Sequence, residues 1–525
     1  MKKLLVGINA SYSHTNIAIR YLGKTSNTPF KEFNINMPYI NVLSSIIDND
    51  VLMFSCYIWN IDYVLTICES IKRIDPNKII VLGGPEVSFE CKKLMEENPA
   101  IDYIICGEGE GIINPFIKAI ENGENPDFKG VFYRDGENIV GEEYYNVFCD
   151  MDALPFPYDN APENKIAYFE SSRGCPYRCQ YCLSGNIGGG VRFMSLPKIK
   201  QSLETFSKMD IQIVKFIDRT FNVNKKRTVE ILNLILSLKD NICYHFEIGA
   251  DLLTDEIIEI FNNTPKGKFQ IEAGIQSFNE QTLKTVERGS DTAKICENIK
   301  KLRDNMHIHV DLIAGLPFEN LESFNKAYAL KANMLQLGFL KVLKGSQIKK
   351  LGYGISYNKQ APYEVLKTPD LSFSDIVLLK KIDKVVDKIY NSQNFVHSLE
   401  YLSGQFGSAF EMYAKLADIM GDDIFNPISL KRCIDTIFEA SKGMLNEEEQ
   451  NILLNLLKFD YISSNAKGNK PECFKLIEEK YVMKDIRKEF DIDKDRRFDV
   501  IHINPKTFEK QKCLAFYGED NFIIM

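Results

Sequence analysis

Three cysteines, Cys175, Cys179 and Cys182, stand at i, i+4 and i+7 in the run Ser171-Ser172-Arg173-Gly174-Cys175-Pro176-Tyr177-Arg178-Cys179-Gln180-Tyr181-Cys182. On a short loop, side chains so spaced can converge on one face, and the backbone must then turn tightly. Gly174 and Pro176 supply that turn chemistry, and the apolar run Ile166 to Phe169 just before it reads as a strand. Iron–sulfur clusters are held by cysteine thiolates, and a cubane takes four. A local set of three leaves one iron without a protein ligand. Two of the three could instead make half of a zinc site, but zinc sites pair such a unit with a second C-x2-C or H-x3-H. Neither occurs elsewhere in this sequence.

At 525 residues the chain is long enough for two to four domains. Hydrophobic residues make up 45% and charged residues 26%, as in ordinary globular proteins. A formal net charge of −8 disfavours nucleic acid as a partner. Met1-Lys2-Lys3 is followed by too few apolar residues for a signal, and no apolar run approaches a membrane span. The 13 cysteines lack the spacing of a secreted disulfide framework. A reducing cytoplasm is the expected compartment, and it suits an oxygen-sensitive cluster.

Residues 1 to 150 alternate apolar runs (Leu4 to Ile8, Val51 to Ser55, Ile79 to Leu82, Ile101 to Cys106) with helical patterns at Asp62 to Arg73 and Ser88 to Glu97. This alternation predicts a doubly wound parallel sheet, whose ligands sit beyond the carboxyl ends of the strands. Those ends read Asn9-Ala10-Ser11, Ser55-Cys56-Tyr57, Gly83-Gly84-Pro85 and Gly107-Glu108-Gly109-Glu110. Paired glycines admit close approach of a bulky ligand, and Ser55 offers a hydroxyl. No G-x-G-x-x-G opens the first helix, which disfavours a dinucleotide. Trp59, after Tyr57, either covers a ligand face or packs internally. Asp135-Gly136 between two apolar runs predicts a hairpin, and Leu154-Pro155-Phe156-Pro157 a stiff linker spanning 151 to 165.

From 166 to 345, strands are expected at Ile211 to Ile217, Tyr244 to Ala250, Phe269 to Ile275, His307 to Ala314 and Phe339 to Leu343. Helices are expected at Leu196 to Met209, Lys225 to Leu238 and Ser323 to Leu337. With the strand before the cysteines these make six βα units. Asp218, Glu247, Glu272 and Gln276 are polar residues on or beside apolar strands, where burial needs a compensating partner and where barrel active sites gather. Arg173 and Arg192 are poised either for a ligand carboxylate or for the chain's own acidic residues. From 346 to 525, helical patterns at Ile376 to Tyr390, Phe406 to Ile419, Leu430 to Ala440 and Glu447 to Leu457 precede candidate strands at Phe498 to Ile503 and Lys512 to Phe516. Cys433, Cys473 and Cys513 share no ligand spacing and are expected as buried thiols.

The C-x3-C-x2-C order, with aromatic Tyr181 before the last cysteine, resembles the radical SAM superfamily. Gly274-Ile275-Gln276-Ser277 and Asp311-Leu312-Ile313-Ala314-Gly315-Leu316-Pro317 resemble recurrent signatures of its core. With the βα domain ahead of them, the chain resembles the cobalamin-dependent radical SAM family. The resemblance implies an α/β fold: an N-terminal doubly wound, Rossmann-like parallel sheet, a partial (β/α)6 barrel and a mostly α-helical C-terminal domain like the extensions of an uncharacterised subgroup. It implies a [4Fe-4S] cluster on Cys175, Cys179 and Cys182, its open iron chelated by S-adenosylmethionine. Tyr181, Asp218, Glu247 and Gln276 would contact S-adenosylmethionine, and Ser55, Gly83, Gly84, Gly107 and Glu108 would surround cobalamin. The D-x-H-x-x-G motif is missing, so His14 is expected as a loop or helix-start residue and not beneath cobalt.

The activity implied is reductive cleavage of S-adenosylmethionine to a 5′-deoxyadenosyl radical, then methyl transfer to an unactivated carbon of a small-molecule or peptide substrate. A low-potential donor such as ferredoxin or flavodoxin would supply the electron. Rival readings are a non-methylating cyclase or rearrangement enzyme, a non-catalytic cobalamin or cluster sensor, and a methylthiotransferase. The last family carries three cluster cysteines in its N-terminal domain; here Cys56, Cys91 and Cys106 are present, but Asn9-Ala10-Ser11 follows the first strand.

Overall fold

The computed structural model describes residues 1–187, 190–303, 305–324, 326, 330, 332–466 and 469–525. These form two compact units. The first is Met1–Ile275 with Glu280–Ile308 and Phe339–Pro369; the second is Gln276–Asn279, His309–Gly338 and Asp370–Met525.

The first unit opens with β1 (Lys3–Asn9), α1 (Ile17–Ser26), β2 (Phe30–Asn34), α2 (Tyr39–Ile46), β3 (Val51–Ser55), α3 (Ile61–Ile74), β4 (Ile79–Gly83), α4 (Cys91–Glu97), β5 (Tyr103–Ile105) and α5 (Ile113–Glu121). The hairpin β6 (Val131–Asp135) and β7 (Asn138–Val140) follows. Strand order is β2-β1-β3-β4-β5-β6-β7, with the first five parallel and the hairpin antiparallel. Order reverses at β1, so the crevice at the ends of β1 and β3 is a topological switch point. The period of two divides β1 between faces: Leu4, Val6 and Ile8 join one core with Val64, Ile67 and Ile71 of α3, while Leu5 joins the other with Ile113, Phe116 and Ile120 of α5. Covered on both sides, these strands read as continuous apolar runs. Edge strand β2, Phe-Lys-Glu-Phe-Asn, is polar at three of its five positions and was not among the expected strands.

The barrel strands begin with β8 (Ala167–Phe169), then a short antiparallel pair, β9 (Ser172–Arg173) and β10 (Arg192–Phe193), flanking the cysteine loop. After α6 (Leu196–Phe206) come β11 (Ile213–Phe216), α7 (Lys225–Ser237), β12 (Cys243–Ile248), α8 (Asp255–Asn262), β13 (Phe269–Gln276), α9 (Glu280–Thr285) and α10 (Thr292–Lys301). β8, β11, β12 and β13 are neighbours, all parallel. A ladder of phenylalanines runs across one face. Phe169, Phe216, Phe246 and Phe269 follow at centroid distances of 5.1, 4.8 and 5.7 Å, and Phe206 of α6 meets Phe169 edge-on. Such ring geometry adds to the area buried. The opposite face of β13 carries Gln270, Glu272 and Gln276, because buried and half-buried residues alternate along it.

The boundary between the units falls within β14 (His307–Ala314), which is followed by β15 (Met334–Phe339). β15 corrects an expectation: the helix expected over Ser323 to Leu337 ends in strand, and the strand expected at Phe339 to Leu343 lies earlier. Leu335 and Leu337 are buried with exposed Gln336 between them, a period of two within an apparently helical pattern. Residues 325, 327–329 and 331 of that expected helix lie outside the described residues.

The second unit carries helices Phe373–Val385, Val396–Ser403, Ala409–Met420, Leu430–Ser441, Glu447–Ser463 and Met483–Glu489, and an antiparallel sheet of Phe498–Ile503, Lys510–Phe516 and Phe522–Ile524. Val396–Ser403, Met483–Glu489 and the last strand are additional to the expected elements. In Glu447–Ser463 every residue from Leu453 to Ile462 is buried, so its apolar pattern is not one-sided. Cys433, Cys473 and Cys513 are buried thiols. Among the described residues no helix is long and apolar enough to cross a membrane.

Close packing of α1 on β1 depends on Gly7, where an added Cβ would lie 2.8 Å from Ile19 Cδ1 and 2.9 Å from Asn16 Nδ2. Gly7→Val is expected to destabilise the first unit by ~1–3 kcal/mol through overpacking, read as a lowered midpoint of its calorimetric transition; an unchanged midpoint would contradict this packing.

Candidate active site at the strand ends and the cysteine loop

A cavity of about 590 Å³ opens at the carboxyl ends of β3, β4 and β5, within the first unit. Its size lies in the range of about 300–1,000 Å³ that holds cofactors and small ligands. Asn16 caps α1 by accepting from Ile19 N at 3.2 Å, and its Nδ2 donates to Ser55 Oγ at 2.9 Å. This fixes Ser55 on the cavity wall with its hydroxyl proton left to donate.

The next strand end turns through Gly83 and Gly84. Gly84 has φ +107°, and a Cβ there would sit 2.6 Å from the Cys56 carbonyl oxygen, so backbone geometry demands glycine. At Gly83 a Cβ would meet only Ile105 O, at 3.6 Å; a side chain there would occupy the cavity Gly83 lines. Gly107, φ +81°, sits against Asn146, whose carbonyl accepts from Glu108 N at 2.9 Å. Tyr57 and Trp59 stack with centroids 4.4 Å apart, both lining the cavity, and Trp59 is 46% exposed.

The cysteine loop forms the facing wall. Asp218, only 1% exposed, accepts from Ser171 N at 2.9 Å and from the hydroxyls of Ser171 and Ser172 at 2.6 Å each. Arg227 clamps the same stretch by donating to Ser171 O at 2.8 Å and Met194 O at 2.7 Å. Within the loop, Asn186 Nδ2 donates to Cys179 O at 2.9 Å and Cys182 O at 2.8 Å. Gly185 is obligatory, since a Cβ would overlap Tyr177 O at 1.6 Å. The three thiols share one neighbourhood: burial pushes the Cys175 thiol up, and Cys182 and Cys179 add to the rise. Cys182 lines the cavity and Cys175 Sγ lies 3.7 Å from Thr220 Oγ1. Three adjacent thiols on a backbone-locked loop fit a site-differentiated iron–sulfur cluster, and the glycine-floored cavity beside them fits a bulky planar cofactor.

Arg173 joins the two walls. Its guanidinium meets Glu110 at 2.6 Å, Glu170 at 2.9 Å and Glu108 at 3.2 Å, while Arg192 also binds Glu108, at 2.6 Å. Burial alone would raise the Glu108 carboxyl; Arg192 and Arg173 outweigh it and hold it below the usual range. Glu170 lacks that second guanidinium. Burial, opposed by Arg173 and reinforced by Glu110, pushes it up to about 7.

The structure thus brings Ser55, Gly83, Gly84, Gly107, Glu108 and Cys182 to one cavity. Glu108 is committed to arginine, so of the two partners expected for Arg173 and Arg192, the chain's own carboxylates are the ones found. Asp218 braces the cysteine loop, its oxygens accepting from Ser171 and Ser172. The Tyr181 phenol lies toward Cys179, which adds to the upward push of burial. Glu247 is in register with Glu272 on the neighbouring strand, and Gln276 ends β13 at φ +71°, in the second unit. His14 is a loop residue hydrogen-bonded to Tyr168. Sequence reading missed Asn16, Glu170, Arg219 and Lys344. Glu170, a lone charge closing the strand three residues before Arg173, carried a local signal. Lys344 did not: it pairs with Glu86 at 3.0 Å across a long sequence separation.

Family models match this chain in three places: a B12 binding domain over 4–115, the radical SAM superfamily over 169–330, and a protein family of unknown function, DUF4080, over 352–518. A parallel sheet followed by β/α units whose strand ends lie beside a three-thiol loop is the arrangement that the radical SAM match over 169–330 covers in part. The order of these matches, a B12 binding domain ahead of a radical SAM domain, resembles that of the cobalamin-dependent radical SAM family. The chain is 25% identical over 314 residues to the cobalamin-dependent radical SAM methyltransferase TokK of Streptomyces tokunonensis, covering 55% of this chain and 45% of that protein. It is 26% identical over 269 residues to the uncharacterized methyltransferase PH0819 of Pyrococcus horikoshii, covering 49% and 58%. The chain therefore spans about half the length of these curated relatives. The fold is shared with the cobalamin-dependent S-adenosylmethionine radical enzyme OxsB, at a TM-score of 0.60 and 14% identity over 87% of this chain and 83% of that one. The radical S-adenosylmethionine methyltransferase TsrM of Kitasatospora setae matches at 0.58 and 15%, over 70% and 80%.

Because Glu170 ionises near 7 in the folded protein and near 4.5 when unfolded, the folded state holds a proton that the unfolded chain has lost. Stability from this group therefore falls as pH rises from about 4.5 to about 7, by on the order of 3 kcal/mol at most. Glu170→Gln removes that decline. The difference in thermal midpoint between variant and natural protein should move in the variant's favour across this window; a pH-independent difference would contradict the assignment.

Proposed function

We propose that this chain is a cobalamin-dependent radical SAM enzyme, and that it transfers a methyl group to an unactivated carbon. The observation that carries this reading is one cavity lined on one side by Ser55, Gly83, Gly84 and Gly107 and on the other by Cys182. Cys175, Cys179 and Cys182 would hold a [4Fe-4S] cluster, and the strand-end glycines with Ser55 would hold cobalamin. When bound, these groups supply reductive cleavage of S-adenosylmethionine and the methyl group.

The chain's own part is positioning. Ser55 donates from a hydroxyl fixed by Asn16. Asp218 and Arg227 brace the cysteine loop. Arg173 and Arg192 join that loop to Glu108 and Glu110, so both walls are referred to one frame. The Tyr57–Trp59 stack presents apolar surface that excludes water. For S-adenosylmethionine itself, Tyr181, Glu247 and Gln276 remain the proposed contacts. A cytoplasmic, low-potential donor such as ferredoxin or flavodoxin would deliver the electron, and the substrate would be a small molecule or a peptide. We divide the chain functionally as 1–150, a linker 151–165, 166–345 and 346–525.

The names of the curated relatives favour methyl transfer. A second reading, a non-methylating rearrangement, draws on a 26% identity over 242 residues to the anaerobic magnesium-protoporphyrin IX monomethyl ester cyclase of Synechocystis. The methylthiotransferase reading is disfavoured by the N-terminal cysteines: Cys91 and Cys106 sit sulfur to sulfur at 3.1 Å, while Cys56 donates to Phe54 O at 3.8 Å, all three fully packed in the core.

Anaerobic purification from a cobalamin-replete host should yield about four irons per chain with bound cobalt, and 5′-deoxyadenosine on addition of S-adenosylmethionine and reductant. Cys179→Ala should abolish the nucleoside, and Gly83→Leu should lose cobalt while keeping iron. About eight irons without cobalt would support methylthiotransfer, and no nucleoside above the Cys179→Ala control would support a sensor.

A further inference from the structure

Two segments brace the cysteine loop from outside, and both meet it at Gln180, the residue after Cys179. Gln180 N donates to Val286 O at 2.9 Å, Gln180 Nε2 donates to Glu287 Oε1 at 2.6 Å, and Gln180 O accepts from Ile348 N at 2.8 Å. Val286 follows α9, and buried Ile348 opens the short helical turn Ile348–Leu351. All three stretches belong to the first unit. The charged side chains they leave exposed are mostly cations: Arg178 of the cysteine loop, Lys284 of α9, and Lys349 and Lys350 of the helical turn.

Among the described residues none of these four cations has a carboxylate within ion-pair distance. Elsewhere exposed lysines find such partners: Lys301 meets Glu297 at 2.9 Å, and Lys442 meets Glu439 at 2.7 Å. Glu287 is the acid that the same contacts bring to this edge, and it accepts from Gln180. Four cations against one carboxylate make the edge basic, in a chain whose formal net charge is −8. Leu351, 38% exposed, adds apolar surface beside the lysines. Like charges gathered without partners repel one another, and apolar surface bordered by charge is the make-up of a protein–protein contact.

We propose that this basic edge of the cysteine loop, Arg178 with Lys284, Lys349 and Lys350, is the surface on which an acidic one-electron carrier protein docks to reduce the iron–sulfur centre. This rests on the radical SAM reading given above. The carrier is oxidised by one electron, the [4Fe-4S] centre on Cys175, Cys179 and Cys182 is reduced by one, and no bond or proton is exchanged. Gln180 is bonded to Cys179, so a carrier seated at this edge is next to a ligating residue. Opposite charge speeds the encounter, and salt screens it. Electron-transfer partners meet through small contacts, below about 1,200 Å² in total, so steering by charge counts for more than buried area.

The test follows reduction of the reconstituted full chain by stopped flow, with a reduced flavodoxin as the acidic carrier and iron and sulfide counted in each sample. Lys349→Glu combined with Lys350→Glu should lower the second-order rate constant at low salt by about tenfold, and added salt should narrow the gap. Photoreduced 5-deazariboflavin, small and uncharged, should reduce this variant and the natural protein alike. Lys300→Glu combined with Lys301→Glu changes net charge by the same amount at the end of α10, near the start of β13 and away from the cysteine loop, and should keep most of the flavodoxin rate. An unchanged flavodoxin rate in the first variant overturns the proposal. So does an equal loss in the α10 pair, an equal loss with the deazaflavin, or natural protein that the deazaflavin alone reduces. Should the charge-reversed pair assemble no cluster, Lys349→Gln with Lys350→Gln decides: a rate at the natural value overturns the proposal, and a fall that salt erases upholds it. Natural-sequence protein in which neither reductant yields a reduced [4Fe-4S] centre refutes the functional reading itself, a result distinct from an unmoved variant.

Discussion

The contact on which the site depends is the guanidinium of Arg173 held among Glu108, Glu110 and Glu170. Arg173 is two residues from Cys175, and the carboxylates at 108 and 110 follow β5 of the cofactor sheet. One side chain therefore ties the cysteine loop to the floor of the cavity. Removing one partner from such a desolvated set costs about 3–5 kcal/mol, because the charges left behind stay buried. Arg192 supplies Glu108 with a second cation, whereas burial, with Glu110 adding to it against Arg173, raises the ionisation of Glu170. The price of a rigid junction is one carboxyl group that is protonated part of the time near neutrality.

Around that junction, geometry follows from a few backbone requirements. Gly84 and Gly107 adopt left-handed φ values that other residues tolerate poorly, and each turns its strand end away from the ligand space. Gly83, beside them, is glycine for a different reason: its missing side chain is cavity. On the other wall, Asp218 accepts from Ser171 and Ser172, and Asn186 donates to the Cys179 and Cys182 carbonyls, so the chain's own groups brace the loop. The return of residues 339–369 to the first unit completes the enclosure. Lys344 binds Glu86 just past Gly84, Tyr363 Oη donates to the same carboxylate at 2.5 Å, and Ile348 N donates to Gln180 O at 2.8 Å. The DUF4080 match begins at 352, so Tyr363 carries part of that region onto the cofactor sheet.

Much of this was legible in the sequence, for identifiable reasons. Strands covered on both faces, such as β1 and β3, announce themselves as apolar runs, and the cysteine spacing is local. Strand ends could be named because ligand sites in such sheets lie there, which located Ser55, Gly83, Gly84 and Gly107 on the cavity. What escaped depends on alternation or on distance. β2 is polar at three of five positions with none fully buried, and β15 alternates buried with exposed residues; short patterns of either kind are read as loop or helix. Asp218 stood out because a buried carboxylate demands partners; the serines that donate to it end the preceding strand, which spacing cannot reveal. The ion pairs of Glu108 with Arg192 and of Glu86 with Lys344 join residues that only the fold brings together.

The central claim is that one cavity receives both the corrin and the iron–sulfur centre. Anomalous diffraction at the iron and cobalt edges from crystals of the anaerobically loaded protein tests it directly. The account predicts an iron peak at Cys175, Cys179 and Cys182 and a cobalt peak in the same cavity, beside Ser55 and Gly83. Cobalt on another surface, or iron at cysteines other than these three, would contradict it.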